Sequence, residues 1–233
     1  VFGAEPLPNY NRILLSPVLG GEKKFADIVL NDDAWYAGHG ITLHKGREVV
    51  GIDRRQRKVV ARDGTEAGYD RLLLATGSSP FLLPVPGKDL AGVIGFRDLA
   101  DVESMLAASE KYKHAVVIGG GLLGLEAANG LMKQGMKVTV VHLPDVLMER
   151  QLDQVAARML RKELEARGLQ FIFKGVTQEI FGKGRVQGVR LAGGQGSHVI
   201  SALAKADALA IIPEADDELP AGAPVALWWL DET

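Results

Sequence analysis

The residues best placed to do chemistry are Gly119-Gly120-Gly121-Leu122-Leu123-Gly124. This G-x-G-x-x-G run follows an apolar segment, Ala115-Val116-Val117-Ile118, and opens a helical pattern. In that strand–turn–helix setting it reads as a phosphate-binding loop. Gly119 permits the tight turn, Gly121 lets the backbone approach a pyrophosphate, and Gly124 lets the helix lie close to the sheet. Leu122 and Leu123 begin the helix, where unpaired N–H groups and the helix dipole favour an anion. The chemistry indicated is dinucleotide binding, with NADH or NADPH as ligand. A site for NAD usually places Asp or Glu at the end of the second strand, about 20 residues on, to hold the ribose 2′-hydroxyl. That position here reads Val141-His142-Leu143-Pro144. Without a carboxylate the 2′-phosphate of NADPH would not be repelled, so the choice of dinucleotide stays open. His142 is a candidate for the site and equally an ordinary histidine at a strand end.

Other chemistry finds little footing. The 233 residues include no cysteine, which excludes disulfides, a redox-active thiol pair, thiolate zinc sites and any iron–sulfur cluster ligated from this chain. His39, His44, His114, His142 and His198 show no metal-ligand spacing with carboxylates, so no metal site is expected. No G-x-S-x-G elbow occurs, and no catalytic side chain is singled out. With 27 basic against 29 acidic residues the net charge is −2, which argues against a nucleic-acid or anionic-membrane partner. The run Arg54-Arg55-Gln56-Arg57-Lys58 reads as a solvated hairpin turn. No apolar run approaches the ~20 residues of a membrane span. Val1-Phe2-Gly3-Ala4-Glu5-Pro6 has no signal-peptide character, so a cytoplasmic location is expected.

The elements that must hold the loop follow from periodicity. His114–Ile118, Lys137–His142 and Leu169–Phe173 read as strands. Leu122–Gln134 and Gln151–Arg167 read as the intervening helices, the second with Leu152, Val155, Ala156, Met159, Leu160 and Leu164 on one face. Val176–Leu191 reads as two strands joined at Gly182-Lys183-Gly184. Upstream, residues 9–20 read as a loop and a short apolar turn. Asn31-Asp32-Asp33 can cap a short helix through Tyr36, and Asp98–Ala108 reads as a further helix. Between these lies a meander of strands over Ile41–Leu43, Glu48–Asp53, Lys58–Ala61 and Arg71–Ala75. The character changes at about Gly193, where a glycine-rich loop leads into an alanine-rich end that includes Trp228-Trp229, expected in a strand.

The apolar run Leu72-Leu73-Leu74 ends in Ala75-Thr76-Gly77 and precedes the glycine loop. Together the two resemble the two-dinucleotide flavoprotein reductases. Pro8–Ser16, Trp35-Tyr36, His39-Gly40-Ile41, Gly119–Glu126 and Leu147–Asp153 further resemble the large subunit of assimilatory NAD(P)H nitrite reductases, over roughly residues 1–192. The resemblance implies an α/β fold with a Rossmann-like βαβ unit and a β-meander. It also implies a cofactor pair, FAD and NAD(P)H, with hydride passing from NAD(P)H to FAD in nitrate and nitrite assimilation. Glu5 would lie near the FAD adenosine ribose, Arg12 and Ser16 along the FAD, Thr76 and Gly77 near its ring system, and Glu126 at the nicotinamide end. Related ferredoxin reductases carry a lysine after the serine, whereas Pro17 stands here. The first FAD fingerprint would precede Val1, so the resemblance implies an incomplete FAD domain and weak FAD retention. Sirohaem, iron–sulfur centres, the remaining nitrite reductase domains and a small subunit would belong to the rest of such a protein.

Gly194-Gln195-Gly196-Ser197-His198, Ser201–Ala204, Ala208–Glu214 and Leu219-Pro220-Ala221-Gly222 resemble instead the C-terminal domain of molybdopterin molybdotransferases. A competing reading makes Asp207–Ile212 the last strand of the nucleotide-binding domain. The expected organisation is a partial FAD-binding domain over 1–110, an NAD(P)-binding domain over 111–192, and a small β-rich tail over 193–233. Two further function classes stay open: a non-catalytic nucleotide-binding remnant, and a fusion serving molybdenum-cofactor biosynthesis.

Overall fold

A computed structural model describes residues 1–192 and the strands Ala208–Ile211 and Ala226–Trp229. The chain divides into two compact units that interleave along the sequence. The first comprises Val1–Phe81, Ile94–Lys113 and Glu126–Lys137. The second comprises Leu82–Val93, His114–Leu125 and the described residues from Val138 onward.

In the first unit a 3₁₀ turn, Arg12–Leu14, runs directly into helix α1, Leu15–Leu19. Residues 9–20 are therefore more helical than expected. Asn11 starts the turn by accepting the Ile13 amide on its side chain, and Leu15, Val18 and Leu19 are buried. Helix α2 (Asp33–Gly38) begins as expected at Asp32, whose carboxylate accepts the Trp35 amide. Helix α3 (Leu99–Lys111) starts with a reciprocal capping box between Asp98 and Asp101 and packs against α1. Helix α4 (Leu122–Lys133) begins in the second unit, and its remainder belongs to the first. Gly130 of α4 is needed for close packing, since a Cβ there would lie 2.6 Å from Leu19 Cγ.

The meander consists of β1 (Val49–Asp53), β2 (Lys58–Ala61) and β3 (Glu66–Gly68), paired antiparallel in that order. The basic run turns the β1–β2 hairpin. Asp53 accepts the Arg55 and Gln56 amides, and Arg57 adopts φ 53°. Two expected strands do not form. Ile41–Leu43 is irregular, and Arg71–Ala75 has no ladder partner among the described residues; every residue from 71 to 80 is exposed. Strand preference is largely a preference for pairing and packing, so an apolar run without a neighbour does not make a strand.

In the second unit β4 (His114–Ile118), β5 (Lys137–His142) and β6 (Gln170–Phe173) form a sheet in the order β4-β5-β6. Helix α4 connects the first two strands and α5 (Gln154–Ala166) the last two. Strands β5 and β6 run parallel, with Val140 opposite Phe171. Val138, Val140 and Val141 are buried. Asp153 caps α5 by accepting the Val155 and Ala156 amides. The buried side of α5 is Ala157 and Leu164, while Val155 and Met159 are exposed, contrary to the expected apolar face. Strands β7 (Val176–Lys183) and β8 (Arg185–Ala192) form the expected hairpin, turning at Gly184 with φ 73°.

Strand β9 (Ala208–Ile211) pairs antiparallel with β10 (Ala226–Trp229), not with the parallel sheet. Trp228 and Trp229 thus lie in a strand. The molybdotransferase-like motifs at 194–198, 201–204 and 219–222 lie outside the described residues. Among the described residues no helix is long and apolar enough to cross a membrane, and no group of His, Asp and Glu is arranged to hold a metal ion.

Candidate functional site

The glycine loop joins β4 to α4. Each of its motif glycines occupies a position that a side chain would alter differently. Gly119 adopts φ 122°, which side chains rarely tolerate, and its amide donates to the Val141 carbonyl at 2.8 Å. Gly124 lies so close to the turn that a Cβ would fall 2.0 Å from the Gly119 oxygen. A Cβ on Gly121 would meet nothing within 4 Å. Gly121 therefore faces open space beside the start of α4, next to the exposed Leu122 and Leu123. Because the first amides of a helix have no intrahelical acceptor, this is the place where a diphosphate can approach.

His142 ends β5 and points inward. Its Nδ1 accepts the Gly120 amide at 3.0 Å, and its Nε2 lies 3.1 Å from the Val146 carbonyl and 3.2 Å from Glu149 Oε2. His142 is 7% exposed. The loop residues Gly119, Gly121, Leu122, Leu123 and Gly124 are thus brought together with His142, and His142 meets the loop through Gly120. The motif left Gly120 unassigned. The only signal for it is that it is the middle glycine of an uninterrupted Gly119–Gly121 run.

In the first unit Glu5 and Arg12 form an ion pair. Tyr10 completes a small network. Its hydroxyl donates to Glu5 Oε2 at 2.5 Å and accepts from Arg12 Nη1 and the Leu99 amide, each at 3.1 Å. Burial, reinforced by the hydrogen bond to Glu5, holds the Tyr10 phenol well above the usual tyrosine range, so it stays protonated. Burial is the largest influence on the Arg12 charge and opposes it, but the hydrogen bond to Glu5 and the attraction of Tyr10, Glu5 and Asp98 together outweigh it, and the guanidinium titrates above its ordinary value.

Arg97 links this network to the exposed Thr76-Gly77 segment. Its carbonyl accepts from Arg12 Nη1 at 3.1 Å, and its own Nε donates to the Ser78 carbonyl at 3.1 Å. Gly77 adopts φ 69°, and a Cβ there would lie 3.6 Å from Arg97 Nη2. Ser16 and Glu126 meet directly, the hydroxyl donating to Glu126 Oε2 at 2.6 Å. Sequence reasoning missed Tyr10 and Arg97. Tyr10 sits inside the Pro8–Ser16 stretch without a role of its own there, Arg97 lies in no motif, and their links to Leu99, Arg12 and Ser78 reach far along the chain.

A strand, a glycine loop and a helix that lead into the β4-β5-β6 sheet, in a chain that also carries an antiparallel meander, define a dinucleotide-binding α/β protein. The chain belongs to the pyridine nucleotide-disulphide oxidoreductase family, which matches residues 1–211. Members of this family bind FAD and NAD(P)H. The chain is 53% identical over 194 residues to nitrite reductase [NAD(P)H] of Bacillus subtilis, an alignment covering 83% of this chain and 24% of that protein. It is 50% identical to the assimilatory nitrate reductase electron transfer subunit of the same organism, covering 78% of this chain and 24% of that one. Among solved structures, the ferredoxin reductase for the CYP199A2 system of Rhodopseudomonas palustris superposes with a TM-score of 0.76 at 29% identity. That match covers 82% of this chain and 48% of the reductase. The chain therefore spans about a quarter of the length of those two curated relatives.

Proposed function

We propose that this chain is the FAD- and NAD(P)H-binding portion of a nitrite reductase large subunit, moving reducing equivalents from NAD(P)H to FAD in nitrite assimilation. The observation that carries the proposal is the Gly119–Gly124 loop, open at Gly121 and closed at Gly124, in a chain 53% identical to a nitrite reductase over 83% of its length. Residues 111–192 are assigned to the pyridine nucleotide and 1–110 to the flavin. The remaining domains and small subunit of such an enzyme are the proposed partners.

The residues present suit both ligands. The amides that open α4 would receive the dinucleotide diphosphate, with Gly121 giving the backbone room to approach. Thr76 and Gly77 would lie against the flavin ring, with Arg97 steadying that segment through Ser78. Arg12 offers the flavin a cation, and Ser16 orients Glu126 through the 2.6 Å hydrogen bond. The bound cofactors supply the hydride chemistry, and this chain's contribution is to hold, orient and shield them.

The test is calorimetric titration of the purified chain with NADH, NADPH and FAD, followed by anaerobic mixing with both cofactors. The expected result is binding of a nicotinamide dinucleotide and bleaching of the visible flavin band. Dinucleotide binding without bleaching would leave a nucleotide-binding module and overturn the hydride-transfer role.

A further inference from the structure

Gly120 stands at the variable position between the first two motif glycines, yet its peptide is fixed on both sides. Its amide donates to His142 Nδ1 at 3.0 Å, and its carbonyl accepts the Met148 amide at 3.1 Å. Met148 makes that bond from φ 51°, a left-handed conformation unusual for a residue with a side chain. Contact is close enough that a Cβ on Gly120 would lie 2.8 Å from both the His142 ring and Leu147 Cδ2. Since a backbone amide can only donate, Nδ1 carries the lone pair and the ring proton resides on Nε2. The Val146 carbonyl and Glu149 Oε2 are the acceptors within reach of that proton. Both ring nitrogens are thus engaged by the protein itself.

We propose that His142 is a positioning residue of the dinucleotide loop: with Met148 it clamps Gly120 and so sets the direction of the amides that open α4. This rests on reading Gly119–Gly124 as the NAD(P)H loop. The side chain at the end of the second strand is occupied in building the loop, so it does not read the ribose 2′ group. Discrimination between NADH and NADPH then falls to other residues.

Two measurements test this. In protein free of nucleotide, long-range ¹⁵N–¹H correlation of the His142 ring is expected to show the neutral Nε2–H tautomer, with the Gly120 amide hydrogen-bonded to Nδ1. The Nδ1–H tautomer would overturn the clamp, whether or not nucleotide binds. The second measurement is the Kd for NADH and for NADPH in His142→Leu and His142→Asn. Leucine strands the buried Gly120 amide, so both affinities should fall by about tenfold. Asparagine, whose Oδ1 can replace Nδ1 as acceptor, should recover most of that loss. The NADH to NADPH ratio should move less than about twofold in either variant. Wild-type affinity in His142→Leu, or a ratio shifted by more than about fivefold, would overturn the proposal. Failure of the unaltered protein to bind either dinucleotide would instead count against the functional reading.

Discussion

Ser16 Oγ donates a 2.6 Å hydrogen bond to Glu126 Oε2, joining α1 to α4 across 110 positions of sequence. Resemblance to the flavoprotein reductases implies Ser16 along the FAD and Glu126 at the nicotinamide end. With proline at position 17, the carboxylate of Glu126 is met by a neutral hydroxyl and not by a lysine ammonium. A hydroxyl leaves the carboxylate's charge in place while fixing its direction. The pair therefore works as an orienting contact and as a tie between two helices.

Because the acceptor is charged and partly buried, the tie should register in stability. Ser16→Ala is expected to cost about 1–2 kcal/mol in urea unfolding. A double-mutant cycle with Glu126→Ala, which removes the acceptor, should return a coupling of about 1 kcal/mol. Additive single effects would show that the contact contributes no stability.

Gly121 and Gly124 share a motif and should fail in opposite ways. In Gly124→Ala the new Cβ collides with the Gly119 carbonyl at 2.0 Å, and neither partner is a flexible side-chain end. The loop must shift, so both folding stability and dinucleotide affinity should drop, the former by about 2 kcal/mol or more. In Gly121→Ala the methyl group meets no protein atom within 4 Å. The melting temperature should hold within about 2 °C, while NAD(P)H affinity falls about tenfold because the methyl occupies the approach to the diphosphate. Equal thermal losses in the two variants would refute this division of roles.

Features set by near neighbours are legible in the sequence, and those set by distant partners are not. The loop, its flanking strands and the capped helices α2 and α3 are set by neighbours within a few residues, so residue types and spacing revealed them. Arg71–Ala75 was misread because a strand requires a partner, and its own residues say nothing of whether one exists. The apolar face assigned to α5 failed for a related reason. Val155, Met159 and Leu164 are all compatible with a helix, but only what lies beside the helix decides which of them is covered. At the site, residue identity marked Glu5, Arg12 and His142. What they touch depends on residues that no motif marks: Tyr10 close by, and Arg97 and Gly120 distant in sequence.

Met159 lies on the uncovered side of α5. It is 69% exposed on α5, so Met159→Lys should change stability by no more than about 0.5 kcal/mol. A loss of 2 kcal/mol would restore the original apolar face. Leu164→Ala, at a buried position of the same helix, should cost about 2–4 kcal/mol.

Arg97 holds the exposed stretch around Gly77 through a single hydrogen bond from Nε to the Ser78 carbonyl. Removing the guanidinium in Arg97→Ala should free that stretch locally without unfolding the unit. Limited trypsin digestion followed by mass spectrometry should then show faster cleavage after Arg71, with the melting temperature little changed. An unaltered cleavage rate would mean that the segment is held by other contacts.

Tyr10 supplies the pH dependence. The residue is 8% exposed, and its phenol donates to Glu5 and titrates well above the ordinary tyrosine value because burial and the hydrogen bond favour the protonated form. The folded state therefore keeps a proton that the unfolded chain begins to lose near pH 10. The stabilisation is complete below that pH and shrinks as pH rises toward the folded pKa, since there the unfolded state binds fewer protons. Tyr10→Phe removes the donor to Glu5 and the acceptor for the Leu99 amide, so it should be less stable at neutral pH by about 1–3 kcal/mol. Its deficit should narrow above about pH 10. In ultraviolet titration of the unaltered protein, one of the four tyrosines should stay un-ionised until the chain unfolds, and that silent residue should be missing from Tyr10→Phe. Ionisation of all four in a single step in the folded protein would show that the Tyr10 phenol is not held by Glu5.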